Sequence, residues 1–126
     1  MSSPRAVVIA HRYLLAVAAL EAVVAVVGAI AVFVQAGSLA ASFEVDPVLF
    51  RVFAGVWALT FVFLSAVHVA ASRSPRAPYS WKIVAIILGL DLTTLVLWPF
   101  AIPVLWMWLK RDVRDWYGAS PDAKDA

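Results

Sequence analysis

The chain has 126 residues, 64% of them hydrophobic and 14% charged, whereas soluble domains run near half apolar and a quarter charged. That composition excludes an ordinary soluble globular domain, and the lack of cysteine excludes disulfide frameworks, thiolate metal centres and thiol nucleophiles. The net charge of +2 reads as membrane topology and not as phosphate binding, so no nucleic-acid partner is expected.

The first apolar run, Tyr13 to Val34, holds 22 residues interrupted only by Glu21. At about 1.5 Å per residue it crosses a hydrocarbon core of roughly 30 Å. A cleavable leader is the rival reading, because Arg5 precedes the run and Gly37-Ser38-Leu39-Ala40 is a small-residue segment. Leader cores are usually about 7–15 residues, so a longer run carrying a carboxylate is read as a retained span. Gly37 and Ser38 are expected to end this helix, which is placed at about 7–36.

Asp46-Pro47 then reads as an N-cap followed by proline at the first helical position. The second helix, 47–72, has an apolar body from Val52 to Ala71 whose only ionisable member is His68. It ends in a proline-rich loop running from Ser72 to Pro78. Arg51, one turn in, lies within reach of Asp46 or Glu44 for an interfacial salt bridge.

The third run, Ile83 to Leu109, has 27 residues, too many for one comfortable span and too few for two. Pro99 and Pro103 mark either a turn or a kink. If the run crosses twice, with a turn near Trp98-Pro99, then Arg5, Arg12, Arg73, Arg76, Lys82, Lys110, Arg111, Arg114 and Lys124 share one side and only Arg51 lies on the other. The positive-inside rule then places both termini in the cytoplasm. The expected architecture is therefore an all-α polytopic membrane bundle over 1–118. Its four transmembrane helices fall at about 7–36, 47–72, 80–98 and 99–117, and a disordered polar tail follows over 119–126. The alternative is three helices, the last long and proline-kinked. The tryptophans and tyrosines cluster near the span ends and are expected to act as interfacial anchors.

Ionisable groups within spans are costly and therefore informative. Glu21 lies nine residues past Arg12 and Asp91 nine past Lys82, so each sits about 13 Å deep at helical rise, and the two could share a layer. Ala18, Ala25 and Gly28 lie on the face of Glu21, a small-residue surface suited to close helix packing. Asp91 has Thr94 at i+3 and Trp98 at i+7 as potential hydrogen-bond donors. Three readings stay open for the carboxylates: a neutral hydrogen-bonded pair that fixes packing, a proton or cation relay, and contacts to a partner protein. His11 and His68 both fall near the cytoplasmic face on neighbouring helices, where two imidazoles could serve as axial ligands of a b-type haem. No metal site is expected.

No phosphate loop, nucleophile elbow, HExxH or triad order is present, so the chain is expected not to be an enzyme. The leading expectation is an accessory or scaffolding subunit of a larger complex in a prokaryotic inner or plasma membrane, contacting lipid and other membrane subunits or copies of itself. The alternatives are a small proton-coupled transporter or ion-conducting oligomer working through Glu21 and Asp91, and a bis-histidine haem electron carrier.

Overall fold

A computed structural model describes residues 3–119; apart from Ala119, the tail expected to be disordered lies outside the described residues. In chain order the elements are α1 (Arg5–Ser42), α2 (Pro47–Ser72), α3 (Pro78–Asp91), a short 3-10 turn (Leu95–Leu97), α4 (Trp98–Trp108) and α5 (Arg111–Trp116). No strand occurs among the described residues. The protein is thus all-helical. α1 and α2 are each long and apolar enough to cross a membrane, and a third span results if the bent pair of α3 with the Leu95–Trp108 segment is taken as one.

The expected break at Gly37-Ser38 does not occur, and α1 continues to Ser42. A single glycine costs a helix only about 1 kcal/mol. The serine hydroxyls are tied back to the helix itself, Ser38 Oγ donating to the Gln35 carbonyl at 3.0 Å and Ser42 Oγ to the Ser38 carbonyl at 2.9 Å. The helix ends instead in a Schellman motif. The Val45 amide donates to the Ala40 carbonyl at 3.0 Å and the Glu44 amide to the Ala41 carbonyl at 3.3 Å. Glu44 occupies the left-handed position of that motif with φ 54°, where a β-carbon is disfavoured and glycine is the usual occupant. Glu44→Gly is therefore expected to raise stability by about 1 kcal/mol, read as a higher thermal midpoint in detergent.

The start of α2 follows the sequence reading. Asp46 Oδ1 accepts from the amides of Val48 at 2.8 Å and Leu49 at 3.1 Å, satisfying two of the orphan donors of the first turn. That carboxylate is engaged as a cap, and the expected bridge from Arg51 to Asp46 or Glu44 is not formed.

The third apolar run turns back five residues earlier than the prolines indicate. α3 stops at Asp91, and the chain bends by 110° before the Leu95–Trp108 segment. Leu92, Thr93 and Thr94 form the bend through backbone bonds to Gly89, Leu90 and Asp91, and Thr93 Oγ1 donates to the Leu90 carbonyl at 2.7 Å. The Trp98 indole N–H donates to the Leu92 carbonyl. Pro99 sits in the first turn of α4, where no amide is needed, and Pro103 is inside it. With 14 and 11 residues, these helices are about 21 and 17 Å long, each short of a full crossing.

The described chain falls into two compact units, one holding residues up to Ala16 together with those from His68 onward, the other Val17–Val67. In the first, Val84, Leu88, Ala101, Trp108 and Val113 are fully or almost fully buried. Trp81 and Trp108 lock α3 to α4 reciprocally, each indole N–H donating to the other residue's carbonyl at 3.2 and 3.1 Å. Trp108, expected as an interfacial anchor, is thus a core residue, while Trp106 and Tyr79 remain exposed. α5 closes with a second Schellman motif on Gly118, φ 65°, in which the Ala119 amide reaches the Arg114 carbonyl at 3.0 Å.

In the second unit α1 lies against α2 through small residues. Ser65 Oγ donates to the Ala18 carbonyl at 2.9 Å, and the Trp57 ring rests on Gly28, so closely that a β-carbon there would lie 2.4 Å from Trp57 Cζ3. Glycine at 28 permits that approach.

Candidate functional site

α2 presents His68 from its last turns and α3 presents Asp91 as its final residue. Both are buried, and His68 Nε2 stands 2.9 Å from Asp91 Oδ1. Either the imidazole N–H donates to the carboxylate or a carboxylic O–H donates to the ring nitrogen; the proton is shared between two groups withdrawn from water. Asp91 Oδ2 is buried and makes no hydrogen bond, leaving a second acceptor position open beside the first.

The structure therefore pairs Asp91 with His68, 23 residues away in sequence, and not with the groups expected on its own helical face. Because α3 ends at Asp91, the i+3 and i+7 spacing no longer applies. Thr94 is exposed beyond the helix end, and the Trp98 indole is committed to the Leu92 carbonyl. Glu21 belongs to the Val17–Val67 unit and Asp91 to the other. Glu21 is half-buried on α1, with Oε2 sealed from solvent.

His11 sits in a different cluster of the first unit. Its Nε2 is 3.2 Å from the Tyr117 hydroxyl, and its ring lies 6.1 Å from that of Trp108, which in turn is 5.4 Å from Tyr117. Around this core Arg76 lays its guanidinium 3.9 Å over the Trp116 ring while donating to the Trp116 carbonyl, and Arg114 stands 5.1 Å over Trp81. These stacked cations tie α5 to the loop between α2 and α3 and to α3 itself. The two histidines thus contact separate partners, Tyr117 and Asp91, each through Nε2.

Sequence reasoning missed Tyr117, which it read only as an interfacial ring. Burial pushes its hydroxyl above the ordinary value of 10.0, with a smaller opposing effect from the Ser74 hydroxyl. Since the folded state favours the neutral phenol, its contribution is complete below pH 10, the unfolded value, and is lost as pH rises toward the folded one. The thermal midpoint of the wild type is accordingly expected to fall above about pH 10 more steeply than that of Tyr117→Phe. At neutral pH that variant should be less stable by about 1 kcal/mol, one lost side-chain hydrogen bond.

No protein-family model, curated protein or solved structure matches the chain.

Proposed function

We propose that the chain is a non-enzymatic accessory or scaffolding subunit of a larger membrane complex, with four membrane-inserted helices and both termini cytoplasmic in a prokaryotic plasma membrane. One observation carries the reading: the most apolar 18-residue window of α2 is only 6% buried within the chain. Its exposed residues include Val52, Gly55, Leu59, Val62 and Ala66, a three-four spacing that forms one continuous stripe on a helix. A β-carbon built at Gly55 meets nothing within 4 Å, which leaves room for the backbone of another helix. The nine-to-one division of Lys and Arg supports the orientation.

The test is native mass spectrometry of the tagged chain drawn from its own membranes in mild detergent. Larger subunits are expected to accompany the wild type and to be lost from Leu59→Arg while that variant remains helical and monodisperse. A chain that leaves the membrane alone, or as a homo-oligomer, overturns the reading.

The buried His68–Asp91 contact favours a second reading, a small proton-coupled transporter or ion-conducting oligomer. Asp91 Oδ2 offers a protonation position inside the protein, and Glu21 supplies another intramembrane carboxylate. In reconstituted vesicles Glu21→Gln and Asp91→Asn would abolish proton flux while the protein stays folded; unchanged flux removes this reading. A b-type haem on His11 and His68 is a third reading; with Nε2 of each ring engaged by Tyr117 and Asp91, iron would have to take the other ring nitrogen or displace those contacts, and a purified sample without a Soret band dismisses it.

A further inference from the structure

Between α1 and α2, wholly within the Val17–Val67 unit, runs an open groove of about 660 Å³ whose lining includes Gly28, Val32, Phe53, Ala54, Trp57 and Thr60. Its chemistry is almost uniformly apolar. The one hydroxyl, on Thr60, is committed to the Val56 carbonyl at 2.9 Å. On α2 the lining extends from Phe50 to Thr60, about 15 Å of helix, which is half of a hydrocarbon core of roughly 30 Å. The groove therefore has the length of one leaflet, and its volume lies in the range of about 300–1,000 Å³ typical of small-ligand sites.

A smaller cavity of about 30 Å³ adjoins it, sharing Val32 and Ala54, and reaches Arg51 at the Phe50 end. Arg51 is the only Lys or Arg between residues 17 and 67. It is exposed, and the nearest acidic candidate in sequence, Asp46, is occupied as the α2 cap. An uncompensated guanidinium thus stands where the apolar groove opens toward the polar side of the membrane. Its planar fork matches a phosphate.

We propose that this groove holds one acyl chain of an anionic phospholipid whose phosphate is bound by Arg51. The groove is separable from the subunit role, because successive helical residues advance by about 100°, which turns Phe53 and Trp57 away from Gly55, Leu59 and Ala66; only the small cavity at Arg51 also touches Gly55 of the Val52–Ala66 stripe.

The experiment reconstitutes the purified chain in vesicles of phosphatidylglycerol mixed equally with phosphatidylcholine and reads retained lipid by native mass spectrometry after mild extraction. One phosphatidylglycerol per chain is expected, in about tenfold excess over phosphatidylcholine, and Arg51→Gln is expected to erase that excess. Ala54→Trp fills the groove from α2 and Ala31→Phe from α1; whichever variant stays helical and monodisperse should retain neither lipid. Equal phosphatidylglycerol retention by Arg51→Gln, or lipid persisting in a folded groove-filled variant, overturns the proposal. So does a lipid-free dimer that the groove-filling changes dissociate, which would give the groove to a second copy of the chain. Loss of partner subunits through Leu59→Arg leaves lipid retention unchanged, so failure of the subunit reading and failure of the lipid site are told apart.

Discussion

Asp91→Ala is expected to destabilise the folded chain by about 3 kcal/mol, the scale of leaving one member of a buried polar pair without the other. His68, buried at the end of α2, would lose the partner 2.9 Å from its Nε2. His68→Ala should cost a similar amount, since it leaves the carboxyl group orphaned. The informative variant is the double replacement His68→Leu with Asp91→Leu. A buried pair exchanged for apolar side chains of similar volume is commonly neutral or stabilising, so the double variant should return to within about 1 kcal/mol of the wild type. Unfolding midpoints of the wild type, His68→Leu, Asp91→Leu and the double variant in mild detergent measure the cycle. Additive single costs would show that the two residues act separately and that the contact contributes nothing of its own. If the double variant is as stable as expected yet loses biological function, the pair serves chemistry and not architecture.

The second large effect is at Gly28. An alanine β-carbon there would lie 2.4 Å from Trp57 Cζ3 and 2.9 Å from Cη2, distances that no packed carbon sustains. The indole is the element that must give way. It also packs against Phe61, the ring centroids 4.6 Å apart, so moving it disturbs a second contact. Overpacking of this kind costs typically about 1–3 kcal/mol, and Gly28→Ala is expected to fall in that range, with Gly28→Val worse. Trp57→Leu removes the clashing ring, so Gly28→Ala should be harmless when made on that background. Gly37→Ala is the control, because a β-carbon at 37 meets nothing within 4 Å. That change should be neutral or stabilising by up to about 1 kcal/mol through better helix propensity. Thermal midpoints decide the matter, and equal effects at 28 and 37 would show that the close approach of ring and glycine has no energetic weight.

Much of the helical skeleton was legible in the sequence. The Asp46-Pro47 start and the Ser72 end of α2 follow from capping and proline chemistry, which act within a few residues and leave local signatures. Helix ends without such signatures were not legible. The bend after Asp91 contains neither glycine nor proline, and the prolines that do occur lie inside the next helix. The Thr93 hydroxyl and backbone amides make that turn, and nothing in the composition announces it. The continuation of α1 past Gly37 was hidden for the opposite reason: a glycine and a serine resemble a stop, yet the helix satisfies the serines internally.

The candidate site was legible in its members and not in its pairing. His68 and Asp91 stood out as ionisable groups in apolar runs, but counting residues from the nearest basic side chain assigns depth along an ideal axis and carries no information on where two side chains meet. It grouped Glu21 with Asp91 and His11 with His68. The structure joins His68 to Asp91 and His11 to Tyr117. Thr94 was attached to Asp91 through a helical spacing, but the helix ends at Asp91, three residues before it.

The 38 residues of α1 give a rod of about 57 Å, nearly twice the thickness of the hydrocarbon it must cross. Its last two turns, Gln35 to Ser42, are mostly small residues, and both serine hydroxyls are already bonded to the helix backbone. Such a segment loses little hydration on entering the headgroup layer and exposes little grease on leaving it. Sinking or rising by a turn is therefore cheap in either direction, and tilt can absorb what remains of a mismatch. The limit on that movement is set by Glu44, Asp46 and Arg51, which follow at once and are costly to draw into hydrocarbon. Within that limit the small-residue end lets the helix adapt to bilayers of somewhat different thickness.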